Sequence, residues 1–224
     1  MLFRSLPETF PAHQPRQPLS GSLRRYIDLL SDRVYLGYAL TGGISIAGMF
    51  AYIAGSPFVF IKLYGVPAEH YGWVFGSNAA GFILMAQVNA RLLARRGPAF
   101  LLSRTVWLYM LAALALLGVA ALRTDALWPL LVPLFICIAS LGCILPNTSA
   151  CAMSGQGARA GSASAMLGCI QFGVAAGAAS LVGVLHDGTA MPMAMVISVC
   201  GVLAVTIGMS TQRLQRARAL QAQV

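Results

Sequence analysis

Charge is what this chain has least of. Asp, Glu, Lys and Arg together make up 9% of its 224 residues, where a soluble globular domain carries about 25%. The shortage is lopsided, with 14 arginines, a single lysine (Lys62), four aspartates and two glutamates. Hydrophobic residues make up 58%, and mean hydropathy is +0.75. A water-soluble fold of this size has too little interior to hide so much apolar surface. The soluble classes are therefore excluded, and the chain is expected to be an integral membrane protein.

Other absences narrow the function. Cys137, Cys143, Cys151, Cys169 and Cys200 all lie in apolar stretches with no Cys-x-x-Cys or Cys/His spacing. That excludes a disulfide framework and a zinc site, and leaves them as small buried hydrophobes. Neither Gly-x-Ser-x-Gly nor His-Glu-x-x-His occurs, so no enzyme activity, cofactor or metal is expected. The formal charge of +9 comes from arginines that form no separate basic domain, so no nucleic-acid partner is expected. Residues 1–32 are polar and Pro-rich without a short apolar core, so no signal peptide is expected there.

The charges that exist act as punctuation. Six stretches carry no Asp, Glu, Lys or Arg: 34–61, 70–90, 105–122, 126–158, 160–186 and 188–212. A helix crosses a hydrocarbon core of about 30 Å with about 20 apolar residues. Each stretch can supply one span. Barrel strands would alternate apolar and polar residues, and runs such as Leu111–Leu117 do not. The expected organisation is a tether and amphipathic juxtamembrane helix over 1–32, a six-helix bundle over 33–210, and a polar tail over 211–224. Within the first segment, 1–19 is Pro-rich and extended, and 20–32 has Leu23, Tyr26, Ile27 and Leu30 at helical spacing. Ser56-Pro57 breaks the first span, and Phe58–Ile61 continue it as a displaced turn.

Arginine sets the orientation. With both termini cytoplasmic, the inner segments hold every basic residue except Lys62 and Arg123, as the positive-inside rule requires. Anionic lipid headgroups suit that excess. Polarity then sorts the spans. Spans one, two, four and five carry Ser, Thr, Asn and Gln, whereas span three has Tyr109 alone from Val106 to Leu122. Polar groups avoid lipid. The first set should line a path, and spans three and six should be peripheral. Polar-polar-apolar, repeated, suggests two inverted three-helix repeats. Gly72/Gly76 and Gly173/Gly177 stand four apart, which places span five at the tightest helix contact.

Several segments are distinctive in order: GMFAYIAGSPFVF over 48–60, YGWVFGSN over 71–78, QVNARLL over 87–93, LPNT over 145–148, and GSASAMLG over 161–168 followed by Gln171-Phe172. Together they resemble the second half of the bicyclomycin-resistance (Bcr/CflA) drug-efflux family of the major facilitator superfamily. Leu6–Thr9 resembles the start of that family's central cytoplasmic loop. The resemblance implies an all-α membrane protein that is half of a twelve-span fold. It implies proton-driven export of small-molecule drugs across the bacterial inner membrane, with substrate held between two six-helix halves. The other half, or another copy of this chain, is then an implied partner besides membrane lipid. The alternative is a truncated or split-gene membrane protein that does not transport alone.

No span holds a carboxylate, and His70 and His186 stand at span ends. An intramembrane proton carrier is normally Asp, Glu or His, so any coupling group is expected elsewhere. The candidate lining residues are Gln171, near the centre of its span, with Tyr52, Asn78 and Asn147. For each, an interhelical hydrogen bond is the alternative role. Arg91, Arg95 and Arg96 resemble a degenerate form of the superfamily's cytoplasmic gate loop, with Ala90 where its acid is expected. They are open to two roles, a gate latch or topology alone.

Overall fold

The computed structural model describes residues 22–124 and 126–221. The expected tether over 1–19 lies outside the described residues. Among those described, all regular structure is helical. A short helix α1 (Ser22–Ser31) precedes α2 (Arg33–Pro57), which Asp32 caps by accepting from the Val34 N–H at 3.1 Å. Pro57 has no N–H to continue the ladder. The chain proceeds as a π turn over Phe58–Leu63, in which the Tyr64 N–H reaches the Val59 carbonyl at 3.0 Å. This is the displaced turn expected after Ser56-Pro57.

Next come α3 (Ala68–Arg96) and α4 (Pro98–Leu122), joined by Gly97 alone at φ +72°. Only glycine adopts that turn cheaply, and Pro98 is pre-set to start a helix. Then follow α5 (Trp128–Met153), α6 (Ala160–Val184) and α7 (Met191–Gln221). Five of these helices are long and apolar enough to cross a membrane. At 29 residues α3 is also long enough, but Asn78, Gln87 and Asn89 make it less apolar. The composition changes at residue 210, yet α7 runs unbroken to Gln221, so the polar tail continues the last span.

Packing gives three layers. In the middle, α2 and α5 touch. Behind them α4 and α7 touch, α4 on α5 and α7 on α2. In front, α3 lies on α5 and α6 on α2, and the two hardly meet their other neighbours. Exchanging α2–α4 for α5–α7 leaves this contact pattern unchanged. The Tyr64 hydroxyl donates to the Thr124 carbonyl at 3.1 Å at one end, while Gln212 reaches the Ala99 carbonyl at 2.9 Å at the other. So α2 and α5 start from opposite ends, and the two three-helix repeats are inverted. The protein is a multi-pass membrane protein built from two inverted three-helix repeats.

Two expectations need correction. First, α6 packs closely on α2, but its own glycines do not make that contact. A methyl group built on Gly72, Gly76, Gly168, Gly173 or Gly177 would meet nothing within 4 Å. The crowded glycines are mostly on α2 and α5: Gly37 faces Thr211, Gly48 faces Tyr109, and Gly142 faces the α3 backbone. Small-residue spacing permits close approach but does not say which helix approaches. Second, the outer sides of α4 and α7 expose Leu108, Leu111, Val199 and Leu203, as lipid-facing helices should, but the least buried helices are α3 and α6. Polarity tells which helix avoids lipid and not which is central.

The amphipathic helix expected over 20–32 is α1, with two apolar sides. Leu29 is fully buried against the bundle, whereas Ile27 and Leu30 remain exposed beside Arg24.

Candidate functional site

The front face, where α3 and α6 stand apart over α2 and α5, collects the polar spans. Its geometry starts from Gly42. A methyl group there would come within 2.7 Å of the Thr148 Oγ1 and 3.0 Å of the Gln171 Nε2. Three helices, α2, α5 and α6, therefore meet over one missing side chain. Gln171 is half-buried, and no hydrogen bond engages its amide among the described residues. One residue on, Phe172 is 60% exposed and meets Phe50 edge-on at 6.2 Å. An idle amide beside an exposed ring can orient a mostly apolar guest.

Tyr52 and Asn78 form the opposite, more enclosed wall. The Asn78 Nδ2 donates to the Tyr52 hydroxyl at 3.1 Å and to the Val74 carbonyl at 3.2 Å. Tyr52 stacks on Phe75 at 5.7 Å. Tyr71 lies 6.2 Å from Phe75 and shares a 2.7 Å hydrogen bond with Ser56. Tyr52 and Asn78 are each 2% exposed, so they shape this wall from behind. The Asn78 Oδ1 is buried with no hydrogen-bond partner.

Asn147 has a different surrounding. It is fully buried, and its Nδ2 donates to the Asn89 Oδ1 at 2.7 Å and the Cys143 carbonyl at 2.8 Å. The Cys143 thiol also donates to the Asn89 Oδ1 at 3.0 Å, and the Thr105 hydroxyl reaches the Cys143 sulfur at 3.1 Å. This network ties α3, α4 and α5. Its Asn89, Cys143 and Thr105 escaped the sequence analysis, as did Gly42 and Gly142. The signal lay in pairing polar residues across spans, and spacing within one span cannot supply that.

At the arginine-rich end, Arg91, Arg95 and Arg96 are exposed on the last turns of α3. The expected gate loop is thus the end of a helix plus Gly97. Phe100 lies beneath two guanidiniums, Arg96 at 5.3 Å and Arg104 at 5.6 Å. Among the described residues no carboxylate pairs with this cluster.

The acid that ties this end together is Asp32. Its Oδ1 accepts from Val34 and from the Arg218 Nη1 at 3.1 Å, and its Oδ2 accepts from the Gln156 Nε2 at 3.2 Å. One carboxylate thereby joins the start of α2, the α5–α6 connection and the end of α7. Partial burial pushes its pKa up. The Val34 N–H and the Arg218 guanidinium outweigh that and hold the carboxyl below its ordinary 3.8.

No family model matches the chain. It is 35% identical to an uncharacterized MFS-type transporter, YdgK, of Bacillus subtilis, over 88% of this chain and 49% of that one. It is 28% identical to a bicyclomycin resistance protein homolog of Haemophilus influenzae, over 92% of this chain and 52% of that one. The chain spans about half the length of the curated relatives it matches. The resemblance carried by the motifs is borne out over that half.

Proposed function

We propose, for a chain similar to about half of an MFS-type transporter, that it forms one wall of a proton-coupled drug exporter of the bacterial inner membrane. Both termini are then cytoplasmic, and the arginine-rich end faces the cytoplasm. A second six-helix body, a partner half or another copy, covers the front face of α3 and α6. The observation that carries this reading is the unengaged Gln171 amide on a face where Gly72, Gly76, Gly168, Gly173 and Gly177 touch nothing. Such a face is ready for close approach by another body. Alternating access needs two bodies rocking about a site between them. Gln171 supplies the polar contact on this side, with Phe172 and Phe50 as apolar wall. Tyr52 and Asn78 set the shape of the aromatic side, and Asn147 holds α3 against α5. Arg91, Arg95 and Arg96 close the cytoplasmic end by meeting acids of the second body.

The coupling proton is carried by that second body, because the acidic residues of this chain stand outside the six apolar stretches. The named relative suggests bicyclomycin as the first drug to try. The test expresses the full chain together with the first six helices of the Haemophilus influenzae relative in pump-deficient cells and follows drug accumulation. Expected is protonophore-sensitive lowering of accumulation by the pair and by neither half alone. Gln171→Ala should raise the accumulated drug while leaving the amount of folded chain unchanged. Equal loss of folded protein and export would make Gln171 a packing residue and remove the central contact from this reading.

A further inference from the structure

We propose that the flank between α2 and α7 holds one anionic phospholipid, with its phosphate on Arg33 and an acyl chain along Leu36, Leu40 and Ile207. A cavity of about 420 Å³ opens sideways there, and all four residues line it together with Ser210 and Leu214. The furrow has a local cause. Gly37 has no side chain, and Thr211 of α7 packs into the space a methyl group would need. Leucines on either side then stand as banks. Arg33 to Leu40 covers about 10 Å along the helix axis, so the apolar walls run from headgroup depth into the hydrocarbon.

Charge favours an anion at the mouth. Arg33 is exposed and makes no hydrogen bond or ion pair among the described residues. Its neighbour Asp32 is ion-paired with Arg218 instead, at 3.1 Å. A guanidinium forks well onto phosphate oxygens. The Ser210 hydroxyl donates to the Thr206 carbonyl at 2.7 Å. Its oxygen still has lone pairs for a headgroup hydroxyl, which suits phosphatidylglycerol.

The position separates this site from the transport face. On α2, Gly42 and Gly43 face α5 and α6, while Gly37 and Gly208's contact Thr41 face α7. Leu36 and Leu40 take the remaining side. The groove therefore faces lipid whether or not a second body covers α3 and α6, and the proposal does not rest on the transport reading.

The test is native mass spectrometry of the full chain, stripped of lipid in detergent and titrated with phosphatidylglycerol or with phosphatidylcholine of the same chains. Expected is one retained phosphatidylglycerol, bound about fivefold more weakly by Arg33→Gln and restored by Arg33→Lys. Ser210→Phe, which fills the furrow from an exposed position, should also weaken binding. Arg24→Gln, on α1 and outside the groove, should leave it unchanged. Equal binding of phosphatidylcholine, no effect of Arg33→Gln and Ser210→Phe, or an equal loss with Arg24→Gln would each overturn the proposal.

Discussion

Gly142→Ala is the sharpest test of how this bundle is held together. A methyl group at that position would collide with the Phe82 carbonyl oxygen and lie 2.8 Å from the Ala86 nitrogen. Both are backbone atoms of α3, so no side-chain rotation relieves the clash. Restoring ordinary contact needs α3 to move by about an ångström. The Asn147–Asn89 hydrogen bond, 2.7 Å long, would then stretch past useful length. Overpacking and the lost interhelical bond together cost about 2–4 kcal/mol. The assay is reversible unfolding of the full chain in mixed micelles, followed by circular dichroism. Gly173→Ala is the control: nothing lies near its added methyl, and it should stabilise α6 by about 0.5–1 kcal/mol. A second readout is Cys143, buried between α3, α4 and α5. In a Cys169→Ser background, Gly142→Ala should let a small permeant maleimide reach it. If Gly142→Ala unfolds like the unchanged chain and Cys143 stays protected, α3 and α5 are not in backbone contact and the front-layer packing described above is wrong.

Two further outcomes follow from the two ends of the bundle. Lys62→Cys, exposed in the last turn of the π segment, should react with an impermeant thiol reagent applied outside intact cells, whereas Arg213→Cys should react only after the membrane is opened; the reverse pattern would invert the orientation. Asp32→Ala should destabilise the chain by about 1 kcal/mol at neutral pH through loss of the α2 cap. Because folding lowers the Asp32 pKa, that contribution is complete above the ordinary 3.8 and fades as pH falls through the lower folded value. Unfolding curves of the two proteins should therefore converge in acid, and a gap that stays constant down to pH 2 would remove Asp32 as the clasp.

The sequence by itself determined the number of spans and their pairing into repeats. Charge-free stretches of span length leave a chain few options in lipid, because each backbone polar group needs a partner within its own segment. Pro57, Gly97 and Pro98 act locally, so the π turn and the one-residue connection follow from nearby atoms. The mid-span position of Gln171 on a polar helix can also be read locally, but its place beside Gly42 and Thr148 cannot. What tertiary structure decided is which faces meet. The Gly173/Gly177 spacing permits close packing in principle, but only the placement of α2, α3 and α5 shows that Gly42 and Gly142 are crowded positions and that the α6 glycines are open. Asn147 looked like a companion of Gln171 by polarity alone, yet its partners Asn89 and Cys143 turn it into a tie between helices. A side chain's polarity is a property of one residue, whereas its hydrogen-bond partner comes from another helix. That partner is set by the sum of packing over the whole bundle, which no local pattern contains.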